Sequence, residues 1–179
     1  MPVKFTFREP LLMAWLLCRQ CHDLVSKCEE KVFAQLRLTP QRHAVLIAIK
    51  YIDEPVHPAD VADWLDRNPN NISTMVDRME KDGLVERIGD LKDRRAVRLV
   101  LTEKGNELLD QANVLGWKLM QEILSSLSAE ELQAHIKILE RVRESAFKYL
   151  YPRKVMKEIS KNEEQHMAGF LAKVKKHDV

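Results

Sequence analysis

The chain has 179 residues, 45% of them hydrophobic and 31% charged, enough for one domain or two small ones around a packed core. Twenty-nine Lys and Arg stand against 27 Asp and Glu, and the net charge of +2 is too small to name a partner. A nucleic-acid binder would have to gather its basic residues locally, and no apolar run is long enough to span a bilayer.

From the N-terminus, Leu11–Cys18 is an apolar run behind Lys4 and Arg8, the outline of a short signal core ending in a lipidated cysteine. Leu17 stands where cleavage wants a small residue, and Glu9 interrupts the basic lead. The reading is therefore a cytoplasmic protein with no membrane partner, whose three cysteines are thiols. Leu11, Trp15, Cys18, His22, Val25, Val32 and Leu36 recur at helical spacing and predict one long helix. Its buried stripe is expected to include Cys18, Cys21, His22 and Cys28.

Within that helix "CRQCH", Cys18 to His22, spells C-x-x-C-H, the attachment motif of a covalent haem. Such a haem is attached outside the cytoplasm, which this reading excludes. The plainest explanation is packing, small thiols and an imidazole filling an apolar face. Two sharper ones stay open. Cys18, Cys21 and His22, at i, i+3 and i+4, could bind Zn²⁺ with Cys28 or a residue of a second subunit as fourth ligand. They could also form a thiol switch, although an i, i+3 pair is awkward for an intrahelical disulfide. No cofactor is expected.

"LTPQRHAVLIAI" opens a second helix, with Thr39 as N-cap and Pro40 at the first helical position. "HPADVADWLD" repeats the device with Pro58 and runs to about Asp66, with His57 as a helix-start residue. In "NPNNISTMVDRMEKDG", Asn68 caps, Pro69 starts and Gly83 ends a further helix. Ile72, Met75, Val76 and Met79 line one side of it, and Asn70, Thr74, Asp77, Arg78 and Lys81 the other. "LVERI" and "VRLVL" then flank "GDLKDRRA", a hairpin with a charged tip. Thr102 caps a helix to about Leu127 with Leu108, Leu115, Leu119 and Ile123 on its apolar face. "SAEE" caps another, with Leu132, Ile136, Leu139, Val142 and Ala146 inward and Pro152 as its stop. The basic stretch 153–179 carries Met156, Ile159, Met167, Phe170 and Val174 at roughly heptad spacing, a last helix.

A short helix, a tight turn, a capped second helix and a basic-tipped hairpin compose a winged helix-turn-helix. The second helix would enter a major groove with its polar side against base edges. The tip, with Lys92, Arg94 and Arg95, and Arg98 on the returning strand, would suit a narrow minor groove. Basic tips and Asn-rich caps also occur on proteins that never meet DNA; order and spacing decide here.

From Leu38 to Gly105 the chain resembles the MarR family of regulators, through "LTPQRHAVL", "DVADWL", "ISTMVDRMEKDGLVER" and "DRRAVRLVLTEKG". The resemblance implies a mainly α fold with a small β-wing, a winged helix-turn-helix on a helical dimerisation domain. Residues 9–36 and 103–150 would form the dimerisation domain, 39–102 the DNA-binding domain and 153–179 a C-terminal helical extension. It further implies a homodimeric, sequence-specific transcriptional regulator, a repressor, bound to double-stranded DNA with a pseudo-palindromic operator. A small aromatic ligand or oxidation would release it.

Asn70, Asn71, Ser73, Thr74 and Arg78 fall on the family's recognition helix. Lys92, Asp93, Arg94 and Arg95 fall on its wing, with Arg95 entering the minor groove and Asp93 shaping the tip against Arg87. Gln41 and Arg42 lie where backbone phosphates pass. Trp15, Cys18, Cys21, His22 and His43 are candidates for a ligand or sensor site, to which Arg19, Arg42 and Trp64 could add walls. Three departures are visible: Leu91 where the wing often has proline, Arg67 in a usually apolar turn, and the length beyond Arg153. No nucleophile–base pair, Gly-rich phosphate loop or paired carboxylates argue for an enzyme. The rivals to this reading are a haem or redox protein, a thiol- or metal-responsive sensor, and a helical scaffold that only dimerises.

Overall fold

A computed structural model describes residues 9–89 and 97–152. In chain order these form α1 (Pro10–Phe33), a 3₁₀ turn (Ala34–Leu36), α2 (Pro40–Tyr51), α3 (Pro58–Trp64) and α4 (Pro69–Lys81). Strands β1 (Val85–Gly89) and β2 (Val97–Leu101) follow, then α5 (Glu103–Leu124) and α6 (Ala129–Leu150). The described part is thus mainly helical with a two-stranded antiparallel wing, as expected. The last helix expected from the sequence lies outside the described residues.

The helix starts follow the local chemistry of the sequence. Thr39 Oγ1 accepts from the Arg42 N–H at 3.2 Å, and Pro40 follows it. Asn68 accepts from the Asn70 N–H at 2.9 Å, with Pro69 next. Ser128 and Glu131 form a reciprocal box, each side chain accepting from the other's N–H. His57 is the N-cap residue of α3; its N–H goes to Asp60 at 2.7 Å and its ring Nδ1–H donates to the Val97 carbonyl at 3.0 Å. The ends are less faithful: α3 stops at Trp64 and α5 at Leu124, each short of its expected end.

The core belongs to the middle of the chain. Val45, Leu46 and Ala48 of α2 meet Val61 of α3, Ile72, Val76 and Met79 of α4, Leu99 of β2 and Leu109 and Ala112 of α5, all buried. The wing is registered Val85 to Leu101 through Gly89 to Val97. Its inner strand is pinned a second time, by the Leu99 N–H to the Val56 carbonyl at 2.7 Å.

Two expectations about burial are corrected. The stripe of α1 is not buried: Leu11 is 79% and Trp15 64% exposed, Cys18 and Cys21 are exposed, and Phe33 alone of this helix is buried. Ile136, Leu139, Val142 and Ala146 of α6 are exposed as well, and α6 buries no residue. Both helices have the periodicity of packed ones, but nothing among the described residues covers those faces. On α5 the buried residues are Gly105, Leu109, Ala112 and Asn113, a face rotated from the expected leucine stripe because its first half packs on the DNA-binding module.

Gly105 marks the tightest approach, since a Cβ there would sit 2.0 Å from the Leu84 carbonyl oxygen. A Cβ at Gly116, on the same helix, would meet only the Phe33 ring at 3.7 Å. Alanine favours a helix over glycine by about 0.5–1 kcal/mol. Thermal melts should therefore show Gly116→Ala neutral or stabilised, and Gly105→Ala destabilised by about 1–3 kcal/mol or more.

Candidate nucleic-acid interface

Helix α4 is held by one side and offered by the other. Ile72, Val76 and Met79 are at most 2% exposed, while Asn70, Asn71, Thr74, Arg78 and Lys81 lie exposed and Ser73 half-buried. Thr74 Oγ1–H bonds back to the Asn70 carbonyl at 3.0 Å, which leaves its methyl and the two Asn side chains as the leading surface of the first turns. The turn before it runs through Asp66 at φ 50° and closes with the Arg67 N–H on the Ala62 carbonyl at 2.9 Å. Arg67 itself is exposed.

The wing's base is tied to α4 through charge. Arg87 of β1 donates Nη1–H to Glu80 at 2.6 Å and Nη2–H to Asp77 at 2.6 Å, and its backbone N–H goes to Glu80 Oε1 at 3.2 Å. Burial disfavours the charged guanidinium, but the hydrogen bonds and charges of Asp77 and Glu80 outweigh it and raise the Arg87 pKa. Arg87 was expected to face Asp93; that residue, with Lys92, Arg94 and Arg95, lies outside the described residues. Asp77 and Glu80 went unrecognised as wing supports. The signal was present, two acids at i, i+3 and an Arg on the inward alternation of Val85 and Arg87, but which helix faces the strand is tertiary information.

Gln41 is exposed at the start of α2. Arg42 is engaged within the protein, Nη2–H to Asp82 Oδ2 at 2.5 Å.

The sensor candidates do not converge. Trp15 and His43 lie at opposite ends of α1, for Phe33, tilted against the His43 ring at 4.6 Å, lies 18 residues from Trp15, about 27 Å along a helix. His22 is exposed and donates to the Asp23 carboxylate at 3.3 Å. Cys28 is half-buried, and among the described residues no group of three or more His, Cys, Asp or Glu is placed to hold a metal ion. Trp64 packs against the core. His43 makes the one pairing of note, Nε2–H to Oδ1 of the fully buried Asn113 at 3.1 Å, where α1, α2 and α5 meet.

Comparison with known proteins agrees with this geometry. Residues 38–105 match the winged helix DNA-binding domain. The regulator PecS of Dickeya dadantii is 27% identical over 133 residues, 73% of this chain and 79% of that protein. The transcriptional repressor MprA of Escherichia coli is 28% identical over 65% of this chain and 68% of its own length. The structure of a point mutant of E. coli MarR complexed with operator DNA superposes with TM-score 0.61 at 25% identity, covering 75% of this chain and 98% of that one. The fold and its exposed helix thus define a winged helix-turn-helix protein, a DNA-binding transcriptional regulator and not an enzyme. In sequence and fold the chain is similar to regulators of the MarR type.

Removing the Arg87 side chain leaves two carboxylates without their shared partner, with the backbone bond to Glu80 still tying this strand to the helix. Arg87→Ala should lower stability by about 1–3 kcal/mol in denaturant melts. Arg87→Lys, which cannot bridge both acids with one planar group, should recover only part of it.

Proposed function

We propose that the protein is a homodimeric repressor that reads a pseudo-palindromic operator in the cytoplasm. The observation that carries this is the two-sided α4, seated through Ile72, Val76 and Met79 and presenting Asn70, Asn71 and Thr74 beside the wing. Asn70 and Asn71 supply the donor–acceptor pair that suits adenine, Ser73 and Thr74 adjust to either base, and Arg78 meets phosphate or guanine. Gln41 stands at a backbone crossing. The wing, through Lys92, Arg94 and Arg95, follows the neighbouring minor groove, with Asp93 shaping its tip.

Dimerisation is supported by the apolar faces that the described residues leave open. Leu11, Trp15 and Leu24 of α1, Ile123 of α5 and Ile136, Leu139 and Val142 of α6 are all exposed. Segments 9–36 and 103–150 are thus assigned to the dimerisation domain and 39–102 to DNA binding. No helix of the described residues is long and apolar enough to cross a membrane, so a second copy is the occupant that fits a twofold operator.

Release by a small aromatic ligand has one specific support. Asn113 is 1% exposed, and its Nδ2–H₂ finds no acceptor although its Oδ1 is held by His43. A buried amide with a spare donor, bonded to a His43 ring that itself packs on Phe33, suits a ligand carrying an acceptor on an aromatic ring. Among the described residues, Cys18, Cys21 and His22 belong to no group placed to hold a metal ion.

A fluorescence titration against DNA upstream of the protein's own reading frame tests the reading. Binding should weaken steeply with salt, and Arg95→Ala should cost about 1–3 kcal/mol. Asn70→Ala should lower operator affinity more than non-specific affinity; equal loss on all DNA would remove it from base reading. A ligand effect on the same titration should disappear in Asn113→Leu. The dimer is tested by light scattering: Leu139→Glu with Val142→Glu should give monomers whose operator affinity collapses, whereas an unchanged mass would exclude these faces as the interface.

A further inference from the structure

The exit of the recognition helix is fastened from two sides. Asp82 is the last residue of its cap, and its carboxylate takes the Arg42 guanidinium of α2 at 2.5 Å. Its carbonyl oxygen accepts Lys104 Nζ–H of α5 at 2.7 Å. One residue on, the Gly83 carbonyl accepts Thr102 Oγ1–H at 2.7 Å, and the Leu84 carbonyl accepts the Thr102 N–H at 3.2 Å. Arg42 is itself well seated: its N–H caps α2 on Thr39, its side chain is 21% exposed, and its Nε is buried with no acceptor. A cation beside the C-terminus of α4 also complements the helix dipole.

We propose that Arg42 and Asp82 are a positioning pair that sets where the end of the recognition helix sits, so that Asp82, an acid on the DNA-reading element, is required for specific binding. The proposal rests on the DNA-reading function above and assigns Arg42 a role other than the phosphate contact its place in the chain implies. The two roles give opposite signs. A phosphate-binding Arg42 is held back by Asp82, so removing that negative charge would tighten binding to any DNA. A positioning Arg42 needs Asp82, so the same change loosens binding to the operator. The pair is partly solvated and small in energy, which places the effect in the geometry of reading more than in the melting temperature. Because α2 and α5 both pack on α1, the clamp also joins the reading helix to the helices of the dimer.

The experiment compares Asp82→Asn, Arg42→Ala, their double mutant and the charge swap Arg42→Asp with Asp82→Arg in the full-length protein. Each is titrated with operator and with scrambled DNA over a range of salt, and folding is followed by circular dichroism. Each single change should lower operator affinity about five- to tenfold. Scrambled-DNA affinity and the salt slope should hold. The double mutant should be no weaker than either single one, and the swap should recover part of the loss. Tighter binding by Asp82→Asn, or a salt slope reduced by about one in Arg42→Ala, would overturn the proposal and return Arg42 to the phosphates. Additive losses in the double mutant would overturn the pairing. Wild-type protein that ignores all DNA would overturn both this and the function proposed above, a result distinct from either.

Discussion

Everything in the DNA-binding half depends on holding α4 by one face. A helix that reads base edges needs its polar side outward and its axis fixed, and fixing it by contacts on the outer side would use up the readers. Ile72, Val76 and Met79 solve this from behind, each essentially removed from water. Burial of that kind is strong but non-directional, so it seats the helix without setting its end points. Directional bonds do that: Asn68 at the start, Arg87 to Asp77 and Glu80 along the flank, and Arg42 and Lys104 to Asp82 at the exit.

The same list resolves the small net charge. Asp77, Glu80 and Asp82 lie on or beside the reading helix and would repel phosphate if left alone. Each is matched by an arginine from another element, Arg87 or Arg42, at 2.5–2.6 Å. The acids then do positional work, and the two arginines offset most of their charge locally. Arg78 and Lys81 remain on the exposed side of α4. A chain with nearly balanced charge can in this way present a basic face, because field at the surface depends on placement and not on the total.

How much of this was legible in the sequence depended on the range of the interaction. Thr39, Asn68, Thr102 and Ser128 act within three residues of themselves, so each helix start could be read from a cap followed by proline or an acid. The inner face of α4 was legible because three apolar residues at helical spacing leave one solution. The partners of Arg87 and Arg42 were not, since Arg42 and Asp82 are 40 positions apart and only the packed fold sets them together. The stripe of α5 was misread because leucines recur on two of its faces, and local pattern cannot tell which one meets the module.

The exposed faces of α1 and α6 teach the complementary point. Periodicity reports that a face is destined for burial, not what buries it. Leu11, Trp15 and Leu24 have the spacing of core residues and stand in water in the isolated chain, an arrangement costing about 25 cal/mol for each Å² of apolar surface left uncovered. The C-x-x-C-H run lies on this same helix, and its order of residues is explained by that fate more simply than by a ligand. Cys18 and Cys21 sit one turn apart between apolar neighbours, small enough for a second helix to approach closely. The apparent haem motif thus sits on an apolar helix face that the described residues leave exposed, and its residue order follows the spacing of that face.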